Sequence, residues 1–297
     1  MKAQKSYQEL KEIVRRKYSE IAEQPVEMNR SSCCGAGEVS TEVYNIMTDD
    51  YSGTDGYVSD ADLGLGCGLP THFAEIKEGD TVVDLGSGAG NDCFIARHET
   101  GPTGKVIGVD FSEPMIKKAR TNAEKLGFNN VEFRYGDIED MPISDQVADV
   151  VVSNCVLNLV PNKAAVLNEI FRILKPGGHF SISDVVLVGE LPQALQEDAE
   201  MYAGCVSGAI QKSEYLGFIE STGFTRIQIQ KEKPIHIPDD ILNKYLQPKE
   251  IEEFRSGNIG IFSVTVFAER PGQSSRKKKI SLSELQNSGC TPGSGCC

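Results

Sequence analysis

Thr81-Val82-Val83-Asp84-Leu85-Gly86-Ser87-Gly88-Ala89-Gly90 is the stretch on which the fold turns. Its first five residues are mostly apolar and β-branched, which reads as a strand buried on both faces. Three glycines in the next five residues make a turn that lets a ligand approach the backbone closely. Asn91 to Glu99 then reads as a helix. A dinucleotide-binding turn would read G-x-G-x-x-G, but here Gly86 and Gly88 are followed by Gly90 and then Asn91, so the third glycine is misplaced.

Downstream, strands and helices keep alternating. Lys105 to Val109 is a second strand closed by Asp110, and Ser112 caps a helix over 113–126 that Gly127 ends. Val131 to Arg134 is a third strand, followed by Gly136-Asp137. Asp149 to Ser153 is a fourth, followed by Asn154-Cys155. A helix over 163–174 stops at Lys175-Pro176-Gly177-Gly178, and Phe180 to Ser183 is a fifth strand. Alternation at this spacing requires parallel strands with right-handed crossovers. The predicted class is α/β, a Rossmann-like sheet with helices on both faces and a small C-terminal α+β subdomain.

Upstream, Leu10, Ile13, Val14, Tyr18 and Ile21 recur at helical spacing between a Ser6/Glu9 capping box and Pro25. Residues 25–66 read as a long mobile loop with one short helix. After Asp184, helices are predicted near 195–208 and 213–222. Strands follow over 225–230 and 259–268, with a helical insertion between them. The expected divisions are 1–66, an N-terminal helix and cysteine-bearing loop; 67–190, the cofactor-binding domain; 191–270, a substrate-side subdomain; and 271–297, a flexible tail.

Of 297 residues, 39% are hydrophobic and 25% charged, a globular mix; net charge is -13, which disfavours a nucleic-acid partner. No apolar run is long enough to span a membrane and the charged N-terminal helix is not a signal peptide, so a cytoplasmic location is expected. Nine cysteines are too few for a disulfide scaffold, and none has C-x-x-C spacing. Any soft ligand would be gripped by sequence-distant thiols.

The run Asp84-Leu85-Gly86-Ser87-Gly88-Ala89-Gly90, with Asp110 and Asp137 at later strand ends and Leu174-Lys175-Pro176-Gly177-Gly178 before the fifth strand, resembles class I S-adenosylmethionine (AdoMet)-dependent methyltransferases. The resemblance implies that Asp84, Gly86, Ser87, Gly88, Asp110, Asp137 and Asn154 bind AdoMet. Asp110 would take the ribose hydroxyls and Asp137 the adenine amine.

Cys67 lies in Leu63-Gly64-Leu65-Gly66-Cys67-Gly68-Leu69-Pro70, Cys155 in Ser153-Asn154-Cys155-Val156-Leu157-Asn158-Leu159, and Cys205 in Ala203-Gly204-Cys205-Val206-Ser207-Gly208-Ala209. With the Cys33-Cys34 pair, these phrases are similar to those of arsenite methyltransferases over roughly residues 5–230. The resemblance implies that Cys67, Cys155 and Cys205 bind trivalent arsenic as substrate, with Cys33 and Cys34 as a redox relay. It also implies an external thiol reductant such as thioredoxin or glutathione. Trivalent arsenic is soft and takes three sulfurs in a neutral pyramid, so burial costs little. Its lone pair can attack a sulfonium methyl without a general base, and none of the four histidines, at 72, 98, 179 and 236, falls in the motifs. Cys93 reads as a small buried residue, and Cys290, Cys296 and Cys297 as tail thiols that either hand metalloid inward or are inert. Two alternatives stand beside this: a quinone- or sterol-type C-methyltransferase, and a metalloid-binding protein without catalysis.

Overall fold

The structure is a computed structural model that describes residues 7–24, 49–196, 208–237, 239–256 and 260–272. Strands β1 (Thr81–Leu85), β2 (Lys105–Asp110), β3 (Val131–Tyr135), β4 (Ala148–Asn154) and β5 (Leu174–Val188) run parallel. Two further strands, β6 (Thr225–Ile235) and β7 (Gly260–Glu269), complete one seven-stranded sheet in the order β3-β2-β1-β4-β5-β7-β6. β7 is antiparallel to both of its neighbours. The stretch expected as a C-terminal subdomain therefore lends two strands to the same sheet as the glycine turn.

Helices cover both faces: α1 (Tyr7–Glu23), α2 (Asn91–Thr100), α3 (Glu113–Leu126), α4 (Lys163–Ile173), the short α5 (Gln193–Gln196), α6 (Lys212–Thr222), α7 (Asp239–Leu242) and α8 (Pro248–Ser256). Alternating strand residues divide between two cores. Val83, Leu85, Ile107 and Val151 pack with Ile170 and Ile173 of α4 and Ile219 of α6. Val82, Val106, Val150 and Val152 pack with Phe94 of α2, Met115 and Ala119 of α3 and Ile21 of α1. Both faces of the central strands are buried, which explains why they read as apolar runs. The Ser112 side chain accepts from the Met115 N–H, and Gly127 closes α3 in the left-handed region. Such a cap is worth about 1 kcal/mol.

The fifth strand is longer than predicted. It runs through Lys175-Pro176-Gly177-Gly178 to Val188 because β7 pairs with it continuously from His179 to Val188. The shift in pairing with β4 between Ala148 and Val150 absorbs the Pro-Gly-Gly segment as a bulge. Of the helix expected near 195–208, the structure describes only the residues up to 196 and Gly208. Among the described residues no helix is long and apolar enough to cross a membrane.

Candidate functional site

Gly86 leaves β1 at φ +69°, and its N–H and that of Ser87 both donate to the Val109 carbonyl, at 2.8 and 3.0 Å. A side chain there would be strained in backbone, and its Cβ would sit 2.4 Å from Val156. The turn thus closes over the carboxyl ends of β1, β2 and β4, where open α/β sheets bind ligands. A cavity partly open to solvent lies there. Asp84, Gly86, Ser87, Gly88, Asp110, Asn154 and Cys155 all line it.

Its polar lining is acidic. Asp62, Asp84, Asp92 and Asp110 line it, and among the described residues no lysine or arginine does. Asp110 accepts from the Gly88 N–H at 2.9 Å and the Ser112 N–H at 2.8 Å. Burial still pushes its carboxyl up to about 6, the backbone donors opposing the shift. Asp92 is also pushed up to about 6 by burial, against hydrogen bonds from Tyr51 and Asn154. Asp84 is raised well above the ordinary range by burial and by its acidic neighbours. The Cys93 thiol donates to Asp84 at 3.2 Å, so Cys93 is buried as expected and also partners the cofactor-side acid.

This lining fits AdoMet. Among the described residues, the charged groups that a sulfonium and an ammonium would meet in that cavity are carboxylates. Ser87 Oγ and Asn91 Oδ1 are buried with no hydrogen-bond partner among the described residues, leaving polar atoms for a bound molecule. Asp137 follows β3 but is not among the residues that line the cavity, and Lys11 of α1 lies 2.5 Å from its carboxylate. Among the described residues no histidine lines the cavity.

Cys67 and Cys155, far apart in sequence, fall in the same buried apolar cluster. Both are reduced and buried, and the cluster includes Leu159, Val185, Leu242 and Ile261. Cys155 itself adopts φ +61°. Cys67 is held on both sides: its N–H donates to Asn154 Oδ1 at 3.0 Å and its carbonyl accepts from Ser263 Oγ of β7 at 2.5 Å. The flanking glycines serve close approach rather than free presentation of the thiol. A Cβ on Gly66 would lie 2.6 Å from Asn154, and one on Gly68 2.5 Å from Ser183 Oγ. Cys205, Cys33, Cys34, Cys290, Cys296 and Cys297 lie outside the described residues. Among the described residues no three His, Cys, Asp or Glu side chains form a metal-holding group.

Sequence reasoning missed Tyr51 and Asp92. Tyr51 lies in the long loop with no local pattern to mark it. Asp92 could have been found as an acid in the first turn of the helix that follows the glycine turn.

A family profile described as a methyltransferase domain matches residues 76–223. The chain is 38% identical to the arsenite methyltransferase of Halobacterium salinarum, over 92% of this chain and 70% of that protein. It is 33% identical to the arsenite methyltransferase of Aquipseudomonas alcaligenes, over 79% of this chain and 68% of that one. Among solved structures, an arsenic (III) S-adenosylmethionine methyltransferase from Chlamydomonas reinhardtii superposes with a TM-score of 0.57 at 32% identity, covering 68% of this chain and 66% of its own.

Proposed function

The chain belongs to the arsenite methyltransferase family, and we propose that it methylates trivalent arsenic held by the thiolates of Cys67, Cys155 and Cys205. The observation that carries this reading is that Cys67 and Cys155 belong to one buried apolar cluster, with Cys155 also lining the cavity that carries the acids.

When bound, AdoMet supplies an electrophilic methyl on a sulfonium. Asp110 would hold its ribose, while Asp84, Asp92 and Asp62 offset its positive charge in a medium where opposite charges attract strongly. Three thiols replace the three hydroxyls of arsenite, releasing three waters and leaving a neutral centre with its lone pair free. The apolar residues around Cys67 and Cys155 keep water from that centre. Cys155 at the mouth of β4 orients the arsenic toward the cavity. AdoMet held by Asp110 would supply the methyl and keep the carbon–sulfur electron pair as a neutral thioether, which balances the new arsenic–carbon bond. Methylation raises arsenic's formal oxidation state, so a thiol pair must return it to the trivalent form. Cys33 and Cys34 would be oxidised in doing so, and thioredoxin or glutathione would reset them. That chemistry suits a thiol-reducing compartment such as the cytoplasm.

Incubation with methyl-labelled AdoMet, arsenite and a thiol, with chromatographic separation, tests the proposal. Label in methylated arsenicals is expected; label confined to AdoMet and its breakdown products would overturn it.

A further inference from the structure

Four hydrogen-bonding groups join the wall of the cavity to the backbone on either side of the Cys67 peptide. The Tyr51 hydroxyl lies 3.0 Å from both carboxylate oxygens of Asp92, on the first turn of α2, and 3.1 Å from the Gly68 carbonyl. The Asn154 amide nitrogen lies 2.8 Å from the same carbonyl, 2.5 Å from the Tyr51 hydroxyl and 3.3 Å from Asp92. Asn154 Oδ1 accepts the Cys67 N–H.

An assignment that takes the shorter contacts uses each hydrogen once. The phenol donates to Asp92, one amide hydrogen of Asn154 goes to Gly68 and the other to the phenol oxygen, and Cys67 donates to Asn154. Tyr51 is almost wholly buried, at 4% exposure, so water does not compete for these bonds. Tyr51, Asp92 and Asn154 all line the cavity, while the peptide they grip carries a thiol of the apolar cluster.

From this arrangement we infer that Tyr51 and Asp92 are positioning residues that couple a cation in the cavity to arsenic capture at Cys67. The inference rests on the arsenic-binding reading above. Burial makes ionised Asp92 costly when the cavity holds no positive charge. A cation there favours the ionised form, whose oxygens fix the Tyr51 hydroxyl. That hydroxyl and Asn154 then hold Gly68 and the Cys67 peptide in place. Linkage makes the effect reciprocal, so bound arsenic tightens the cation in equal measure.

The test is equilibrium dialysis of arsenite against the full chain, alone and with saturating sinefungin, a non-reactive AdoMet analogue bearing an ammonium where the sulfonium would be. In the unaltered protein sinefungin is expected to tighten arsenite by at least about fivefold, a usual size for coupled sites. S-adenosylhomocysteine, whose sulfur is neutral, should tighten it less. Tyr51→Phe, which keeps the ring and loses the hydroxyl, should bring the sinefungin ratio near one. Asp92→Asn, which keeps an acceptor and loses the charge, should do the same. Thermal unfolding reports whether each variant is folded. Equal ratios for the two analogues, or a folded variant retaining the full ratio, would overturn the inference. Failure of the unaltered chain to bind arsenite at all would instead overturn the arsenic-binding reading.

Discussion

The backbone N–H of Cys155 donates to the carbonyl of Ser183 at 2.8 Å. The residue after β4 is thereby tied to β5 although its φ is +61°. Such a conformation in a residue other than glycine costs on the order of 1 kcal/mol and persists only where neighbours fix it.

Cys155→Ser keeps the backbone bond and nearly the same side-chain volume, but replaces a soft arsenic ligand with a hard one. Methylated product should fall to background, with AdoMet still bound in calorimetry. Turnover equal to the unaltered enzyme would remove Cys155 from the substrate site.

Asp110→Asn keeps one acceptor for the Gly88 or Ser112 N–H and loses the charge. The AdoMet dissociation constant should rise by more than about tenfold, as charge-assisted hydrogen bonds are roughly twice as strong as neutral ones. Unchanged affinity would exclude Asp110 as the ribose acceptor.

Gly68→Ala places a methyl 2.5 Å from Ser183 Oγ and 2.7 Å from its Cβ. Overpacking of this kind costs roughly 1–3 kcal/mol and should push the Cys67 peptide off its partners. Arsenite affinity should drop, and the double variant Gly68→Ala/Ser183→Gly should recover most of it. A single variant that binds arsenite normally would show that the loop tolerates the displacement.

Asp92 and Asp110 titrate near 6 when folded, above the ordinary carboxylate value. Between about pH 4 and 6 the folded chain binds more protons than the unfolded one, so their contribution to stability falls as pH rises through that window. Ligand affinity runs the other way. A cation prefers both groups ionised, so AdoMet should bind more weakly as pH falls below about 6, with protons released on binding near that pH. Calorimetry in buffers of different ionisation enthalpy measures the release; none at pH 6 would contradict this assignment.

The parallel core was legible because buried strands are apolar runs, and glycines and caps mark their ends. β1 and α3 fall where Thr81–Leu85 and the Ser112 cap place them. The length of β5 was not legible, since it depends on pairing with a strand some eighty residues later. Asp137 shows a different limit. Its position after β3 matches the motif, yet Lys11, 126 residues away, takes its carboxylate. Tyr51 makes tertiary hydrogen bonds that no local pattern encodes, whereas Asp92 was marked only by its place in the first turn of α2. Cys67 and Cys155 were legible as residues, but the reason for Gly66 and Gly68 beside one of them was not. It lies in Asn154 and Ser183, on strands distant in sequence.

The hydroxyl that braces the Cys67 carbonyl belongs to Ser263, 196 residues further along the chain. During translation the glycine turn and its acids leave the ribosome well before that brace exists. A nascent chain stalled ahead of β7 would carry the glycine turn and its acids while the Cys67 loop still lacked one of its two anchors. On the arsenic-binding reading proposed above, a full grip on the metalloid would await the emergence of β7 itself.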